Sequence, residues 1–231
     1  MQPSYYPTIC GDIISRTNLL HWIREFMRAS SMPSGYYMEF GILNGHGIID
    51  AYRQLRGSQV AHYFGFDSFQ GLPKLDEKDG ASRELMPIFY EGNYKGGSEA
   101  MVRSNIISNT GMKHDQLTLV EGFFEESLPK INIDHIKQHG ELLVAYIDCD
   151  LYSSTKTVLN FLEPLITDGT WVVFDDYWCY RGSPYHGQRL AIEEMLSTTK
   201  SFGLTDYTNF YGFGKAYIGY KKGHHGVGDK K

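Results

Sequence analysis

The sequence predicts an α/β fold in which helices flank a mostly parallel sheet, and three observations favour it. Segments typical of strands and helices alternate at the intervals of βαβ units over most of the 231 residues. Residues 142–147 and 171–174 are short apolar runs rich in β-branched and aromatic side chains, typical of strands buried on both faces of a parallel sheet. Two short aromatic segments, residues 206–210 and 215–220, close the chain and can pair as an antiparallel hairpin. With three further strands, these segments give a doubly wound sheet of seven strands.

The first half of the chain predicts an N-terminal helix followed by βα units. Apolar side chains recur at helical spacing over residues 13–29, and Pro33-Ser34-Gly35 then breaks the chain. Residues 68–97 contain prolines and several glycines, and a segment of this length without regular structure is typically a lid or a binding loop. The other elements predicted here are strands at residues 36–40, 60–66 and 116–121 and helices at residues 47–56 and 98–108.

The second half carries the two apolar strands, with a helix predicted between them at residues 154–165. A further helix at residues 186–199 precedes the hairpin. Residues 223–231 contain almost nothing apolar and are predicted to be a disordered tail. We therefore expect residues 1–222 to form a single domain, with residues 1–35 as an N-terminal helical segment.

Composition and charge exclude several classes of function. The net charge is -5, and no basic run longer than Lys221-Lys222 occurs before the last few residues, so a nucleic-acid partner has no electrostatic footprint. No apolar stretch approaches the roughly 18–20 residues that span a bilayer, and the N-terminus lacks the segments of a signal peptide. Cys10, Cys149 and Cys179 are far apart, which favours reduced thiols over a disulfide framework. We expect a cytoplasmic protein without membrane or nucleic-acid partners.

Both apolar runs end in carboxylates. Asp148 and Asp150 follow the first run, and Asp175 and Asp176 follow the second. In open α/β sheets ligands bind beyond the carboxyl ends of the strands, and several aspartates placed there would repel one another strongly without a cation. Oxygen ligands suit Mg²⁺, Ca²⁺ or Mn²⁺, so a divalent cation is predicted. The alternative is that these aspartates are solvated and cap the helices that follow.

A glycine-rich turn follows the first strand. Its glycines, Gly41, Gly45 and Gly47, have the spacing Gly-x-x-x-Gly-x-Gly, which differs from the Gly-x-Gly-x-x-Gly dinucleotide fingerprint. Glycines at such a turn let the backbone approach a ligand, and the helix N-terminus offers free N–H groups. Asp67 ends the second strand twenty residues after Gly47, at an interval where an acid accepts ribose hydroxyls. The pattern predicts a ligand without a pyrophosphate, whose ammonium would meet the region of Glu39.

Five segments occur in order within residues 36–195: Glu39-Phe40-Gly41; Gly65-Phe66-Asp67-Ser68-Phe69-Gln70-Gly71-Leu72-Pro73; Val120-Glu121-Gly122-Phe123-Phe124 with Leu128-Pro129; Asp148-x-Asp150-Leu151-Tyr152-x-Ser154-Thr155; and Asp175-Asp176-Tyr177. Together they resemble the macrocin O-methyltransferase family, and the acids are more distantly similar to the metal arrangement of catechol O-methyltransferase. The resemblance implies a Rossmann-like class I methyltransferase fold, S-adenosylmethionine as cofactor, Mg²⁺ or another divalent cation, and methylation of sugar hydroxyls of natural products. It implies that the metal ligands are Asp148, Asp175 and Asp176. It also implies a cofactor site lined by Glu39, Gly41, Asp67 and Ser68, with the Gly122-Phe123 turn near the adenine.

The implied reaction is an in-line displacement in which a hydroxyl oxygen attacks the sulfonium methyl group. Holding the reactants near attack distance can lower the barrier by ~7–11 kcal/mol at best. A metal on Asp148 and its partners would depress the pKa of the hydroxyl, and a side chain must take the proton. His186 is the first candidate, because it lies in an aromatic loop after the metal strand, ahead of His46 and Asp150.

The acceptor is predicted to be a glycosylated or polyhydroxylated small molecule. Residues 68–97 and the aromatic run 177–186 flank the predicted metal, and apolar sugar faces pack on aromatic rings. We expect residues 75–97 to act as a lid that orders when cofactor and substrate are both bound. A homo-oligomer is compatible with the sequence.

Three alternatives use the same features. A nicotinamide-dependent oxidoreductase could share the sheet, although the dinucleotide fingerprint is missing. A non-catalytic, methyltransferase-like binding module would be expected to have lost some of its acids. A metal-dependent hydrolase would leave the glycine turn and Asp67 without a role.

Overall fold

The computed structural model describes residues 14–81 and 83–223. These residues form a seven-stranded sheet in the order β3-β2-β1-β4-β5-β7-β6. The strands are β1 (Gly35–Phe40), β2 (Val60–Asp67), β3 (Leu117–Glu121), β4 (Glu141–Ile147), β5 (Trp171–Phe174), β6 (Phe202–Phe210) and β7 (Gly214–Lys221). The first five are parallel, whereas β7 is antiparallel to both β5 and β6. The mostly parallel sheet and the C-terminal hairpin that the sequence predicts are confirmed.

Helices cover both faces of this sheet. They are α1 (Arg16–Ala29), α2 (His46–Leu55), α3 (Glu77–Ala81), α4 (Glu99–Thr110), α5 (Phe124–Ser127), α6 (Ile133–Lys137), α7 (Tyr152–Leu162) and α8 (Gly187–Thr198). The apolar side chains of α1, α2 and α4 pack on one face, and those of α5 to α8 pack on the other. No described helix combines the length and the apolar content that crossing a bilayer requires.

The register of the central strands brings their carboxyl ends to one edge. Phe40 of β1 pairs with Phe66 of β2 and Ile147 of β4, and Ile147 in turn pairs with Phe174 of β5. All residues of β1 and β5 are buried, so the strands cannot slip without moving large side chains between layers. The residues that follow these four strands must therefore lie side by side.

Element boundaries differ from the predictions at a few places. Helix α1 begins at Arg16 because the Ser15 side chain caps it by accepting from the Asn18 N–H. Helix α7 begins two residues before the predicted position 154, because the carboxylate of Asp79 accepts hydrogen bonds from its first N–H groups. The short helices α3, α5 and α6 were not predicted, since four or five residues are too few to show apolar periodicity. Residue 13 and most of the predicted tail, residues 224–231, lie outside the described residues.

Candidate active site

A cavity of about 290 Å³ opens at the carboxyl ends of the parallel strands. One wall is the glycine turn that follows β1, and the facing wall is the set of acids that follow β4 and β5. The lining residues are Gly41, Leu43, Asp67, Ser68, Gly71, Leu72, Pro73, Tyr94, Gly122, Phe123, Phe124, Glu125, Asp148, Cys149, Asp150, Ser154, Asp175 and Asp176. This position is the crevice where open α/β sheets bind ligands.

The glycine turn is held against the end of β2 by Asp67. One oxygen of this carboxylate accepts the N–H groups of Ile42 (2.9 Å) and Leu43 (2.8 Å), and the other accepts the N–H of Phe69 (2.7 Å). Burial raises the pKa of Asp67, and the three backbone donors oppose that rise. A carboxylate offers about four lone-pair sites, so one remains for a ligand hydroxyl in the cavity.

At each of the three glycine positions in the turn, a different steric contact leaves no room for a side chain. Gly41 has φ 89°, and a Cβ there would lie 1.8 Å from the backbone oxygen of Asp148, so the turn and the acid-bearing loop touch directly. Gly45 has φ 79° and packs against Ile106 of α4. A Cβ on Gly47 would lie 1.8 Å from Glu39 Oε1. Gly41 lines the cavity, whereas Gly45 and Gly47 serve packing beside and beneath it, and cofactor binding by the three glycines stays a prediction.

Glu39 lies one layer below the cavity and is absent from its lining. It is 1% exposed, its Oε1 lies 3.0 Å from Arg16 Nη2, and its Oε2 accepts the Tyr37 hydroxyl at 2.7 Å. Burial raises the pKa of Glu39, and Arg16 lowers it. Arg16 and Tyr37 thus occupy the two oxygens of Glu39, and its role in the cofactor site stays a prediction.

The remaining predicted cofactor residues are at the cavity wall. The Ser68 hydroxyl donates to the Gly71 carbonyl at 2.8 Å and accepts the Gln70 N–H at 3.0 Å, which shapes the turn after β2. Gly122 has φ 132°, and its N–H donates to the Asp67 carbonyl at 3.0 Å. Phe123 follows it at the same wall. These three residues continue the surface that begins at Gly41.

Asp148, Asp175 and Asp176 form a cluster in which one carboxylate oxygen from each lies within 4.8 Å of the others. The Tyr146 hydroxyl donates to Asp175, whereas the buried Asp176 Oδ2 has no hydrogen-bond partner among the described residues. Burial raises the pKa of Asp148 well above its usual range, and Asp175 and Asp176 raise it further. An unsatisfied buried oxygen within an all-carboxylate donor set fits a hard divalent cation.

Two contacts that the sequence did not reveal support this cluster. Gln188 of α8 is fully buried, accepts the Asp176 N–H at 2.9 Å and donates to the Ile147 carbonyl at 3.0 Å, so it joins the ends of β4 and β5. Arg16 of α1 brings Nη1 to 3.9 Å from Asp148 Oδ2 and stacks its guanidinium 3.7 Å from the centre of the Tyr146 ring. A basic residue in the first turn opposes the helix dipole, and this was the one sequence signal that could have pointed to Arg16.

Of the candidate bases, the structure brings Asp150 to the cavity. Asp150 lines the wall next to the cluster, and burial together with Asp148 raises its pKa well above the usual range. His186 is absent from the lining and stacks on Tyr180 with 6.0 Å between ring centres, whereas His46 is exposed at the start of α2. Asp150 thus lies at the cavity wall and His186 lies outside its lining, and the identity of the base stays a prediction.

The outer wall comes from the predicted loop. Leu72, Pro73 and Tyr94 line the cavity, and burial raises the pKa of Tyr94 to about 12, with Asp150 adding to the rise. The aromatic run 177–186 contributes less than expected: Tyr180 packs on Phe89, with 5.6 Å between ring centres, rather than lining the cavity.

Comparison with known proteins supplies relatives for this arrangement. The sequence model of the macrocin-O-methyltransferase family (TylF) matches residues 3–195. A tetracenomycin rhamnosyl 4'-O-methyltransferase of Streptomyces olivaceus is 29% identical over 76% of this chain and 64% of its own length. Demethyldecarbamoylnovobiocin O-methyltransferase of Streptomyces niveus is 34% identical over 59% of this chain and 46% of its own length. Mycinamicin III 3''-O-methyltransferase of Micromonospora griseorubida is 28% identical over 74% of this chain and 67% of its own length.

The chain thus spans less than two thirds of the length of the first two of these relatives. Among solved structures, the O-methyltransferase NovP has a TM-score of 0.67 and 22% identity, covering 88% of this chain and 78% of that one. A calicheamicin methyltransferase has a TM-score of 0.67 and 24% identity, covering 89% and 80%. These structural likenesses establish the class I methyltransferase fold.

Proposed function

The chain belongs to the macrocin O-methyltransferase family, and we propose that it transfers the methyl group of S-adenosylmethionine to a hydroxyl of a small molecule with the help of a divalent cation. One observation carries the proposal. The glycine turn with Asp67 and the cluster of three aspartates face each other across a single cavity. A nucleoside cofactor and a cation-bound hydroxyl would then lie next to each other, as methyl transfer requires.

The cofactor would occupy the wall formed by Gly41, Asp67 and the Gly122-Phe123 turn. Asp67 retains one lone-pair site for a ribose hydroxyl after its three backbone contacts. Gly41 lines the cavity with its bare backbone, because a Cβ there would lie 1.8 Å from the Asp148 carbonyl oxygen. Phe123 offers an apolar surface of the kind on which an adenine ring packs.

Asp148, Asp175 and Asp176 would hold Mg²⁺ or another divalent cation, as their oxygen donor set allows. When bound, the cation would act as a Lewis acid that lowers the pKa of the acceptor hydroxyl. Tyr146 fixes the orientation of Asp175 by donating its hydroxyl, and Gln188 fixes the backbone of Asp176. Asp150, which lines the same wall, would take the proton of the acceptor.

The acceptor that fits best is a sugar hydroxyl of a glycosylated natural product. Three relatives carry names of O-methyltransferases that act on tetracenomycin, novobiocin and mycinamicin compounds. Leu72, Pro73 and Tyr94 give the cavity an apolar and aromatic outer wall beside the acids. Such a wall suits the apolar face of a sugar whose hydroxyls point to the cation. Residues 75–97, all of which except residue 82 are described, would close over the acceptor as a lid.

The experiment combines calorimetry with S-adenosylhomocysteine and a methyl-transfer assay on deoxysugar-bearing natural products. Asp67→Asn should weaken nucleoside binding by ~1.5–3 kcal/mol, the range for a hydrogen bond to a charged group. Asp175→Asn should abolish turnover and leave that affinity unchanged, and excess chelator should do the same. Asp168→Asn is the matched control. Asp168 also accepts a backbone N–H, from Lys221 at a distance of 2.7 Å, but it does not line the cavity.

Two results would contradict the proposal separately. Equal nucleoside affinity in wild type and Asp67→Asn would remove the cofactor assignment. Full turnover in excess chelator would contradict the requirement for a cation and would not affect the cofactor assignment.

A further inference from the structure

Asp79 belongs to the segment between β2 and α4, yet its carboxylate is buried against the start of α7. The residue is 3% exposed. Its Oδ1 accepts the Tyr152 N–H at 2.8 Å, and its Oδ2 accepts the N–H and the hydroxyl of Ser153 at 3.2 and 2.5 Å. Leu151, the N-cap residue of α7, makes no side-chain cap of its own in the described structure. Asp79 therefore caps this helix from 73 residues earlier in the chain.

The helix that Asp79 caps begins directly after the turn that carries two of the cavity acids. Asp150 in this turn has φ 60°, a left-handed conformation that L-residues disfavour and that persists only when neighbouring contacts hold it. The Tyr180 hydroxyl donates to the Asp150 carbonyl at 3.2 Å, and the Leu151 N–H donates to the Cys149 carbonyl at 2.5 Å. The hydrogen bonds from Tyr152 and Ser153 to Asp79 fix the other side of the same turn.

An apolar contact joins the same two parts of the chain. Leu151 is 1% exposed and packs in a small cluster with Leu72 and Phe89, which belong to the segment of Asp79, and with Cys179 and Tyr180. The segment between β2 and α4 therefore contacts the turn at residues 148–151 in two ways. Its Asp79 carboxylate caps the start of α7, and its apolar side chains pack on Leu151.

We propose that Asp79 is a positioning residue: by capping α7 it holds the turn at residues 148–151 so that Asp148 and Asp150 face the cavity. It thereby couples the loop over the cavity to the cation and acceptor site. The inference rests on the proposed function for its consequence in catalysis. Because Asp67 and the glycine turn hold the nucleoside half independently, cofactor affinity should not depend on Asp79.

The test compares Asp79→Ala and Asp79→Asn with Asn132→Ala, using the full chain. Asn132 caps α6 by accepting the Asp134 N–H at 2.9 Å. Asn132 does not line the cavity, so this variant loses a helix cap without changing the cavity wall. Three quantities are measured: hydrogen exchange at residues 148–151, Mn²⁺ affinity by electron paramagnetic resonance, and the kcat and cofactor KM of methyl transfer.

Asp79→Ala should speed exchange at residues 148–151 and weaken Mn²⁺ binding about tenfold, the lower range for residues that orient metal ligands. Its kcat should fall while the cofactor KM stays unchanged. Asp79→Asn should recover only part of these losses, because its single amide oxygen can replace only one of the two carboxylate oxygens that accept from Tyr152 and Ser153. Asn132→Ala should lower the Tm and leave all three quantities at their wild-type values.

Unchanged exchange at residues 148–151 in Asp79→Ala, together with unchanged Mn²⁺ affinity, would make Asp79 an ordinary helix cap and overturn the proposal. If Asp79→Ala does not fold, Ser153→Ala replaces it, because it removes only the hydroxyl contact to Asp79 and keeps both backbone hydrogen bonds. If the wild type binds no Mn²⁺, the cation part of the proposed function fails by itself. Exchange at the turn still decides the role of Asp79 in that case.

Discussion

Replacing Arg16 by Met should destabilise the protein strongly, because it leaves the carboxylate of Glu39 buried without its cation. Glu39 is 1% exposed, and Arg16, whose side chain is 20% exposed, lies 3.0 Å from it. Breaking a buried ion pair by removing one partner costs about 3–5 kcal/mol. The partial exposure of Arg16 admits some water, so we expect a value near the lower end, about 3 kcal/mol.

A double variant separates the charge effect from the loss of packing. Arg16→Met/Glu39→Gln removes the Glu39 charge together with its cation, and the new amide oxygen can still accept the Tyr37 hydroxyl that now donates to Glu39 at 2.7 Å. We expect a coupling free energy of about 2–3 kcal/mol between the two positions. The double variant should therefore be more stable than Arg16→Met alone, although it carries one more substitution.

Urea unfolding followed by tryptophan fluorescence measures these differences, provided that the m-values of the variants agree. In thermal unfolding, a loss of 3 kcal/mol corresponds to about 6–12 °C in Tm for a chain of this size. Arg28→Met is the matched control, since Arg28 lies on the same helix but forms an exposed pair with Glu25 at 3.6 Å. That variant should lose about 0–1 kcal/mol. A loss below about 1 kcal/mol for Arg16→Met, or a double variant no more stable than the single one, would refute this reasoning.

Two further predictions concern other parts of the fold. Gly47→Ala should lower both the Tm and the nucleoside affinity, because its Cβ would lie 1.8 Å from Glu39 Oε1, whereas Gly80→Ala, with no described atom within 4 Å of an added Cβ, should be neutral or stabilising. Burial, and to a smaller extent the neighbouring His139, lowers the pKa of His62 to about 4. In the unfolded chain the pKa of this histidine is ~6.5. The unfolded state therefore binds the proton first, and the free energy of unfolding should fall as the pH drops from about 6.5 to 4. Urea titrations at several pH values should show a flatter profile for His62→Gln, and an identical profile would exclude this role.

The parts of the site that the sequence predicted are those encoded locally. Asp148 and Asp175 follow apolar strands without a gap, so their place at the sheet edge depends only on recognising those strands. Asp67 ends β2 in the same way, so its place beside the glycine turn also depends only on recognising the strand, although its hydrogen bonds to that turn were not predicted. Where a residue lies within one position of a buried strand, the sheet determines its location.

The parts that sequence reasoning missed depend on contacts between distant segments. Arg16 meets Glu39 and Asp148 only because α1 packs under the turn after β1, and Asp79 reaches α7 across 73 residues. Neither hydrophobic periodicity nor motif spacing indicates such contacts between residues that are distant in the sequence. The place of His186 has the same origin, since a position shortly after β5 in sequence did not determine the direction in which its loop turns, and its role as a base stays a prediction.

The two halves of the cavity are joined by the sheet itself. The parallel ladder continues one residue beyond each strand, because the N–H groups of Gly41, Asp148 and Asp175 donate to the carbonyls of Phe66, Phe40 and Ile147 at 2.9, 2.9 and 3.0 Å. The first residue of each functional turn is therefore held by a buried backbone hydrogen bond before any ligand arrives. Gly41 also lies directly against the Asp148 carbonyl oxygen, so the two turns meet at their first residues. The spacing between the first residues of the two turns is thus set by the strand register, whereas the orientation of the acids beyond them depends on loop contacts such as the Asp79 cap.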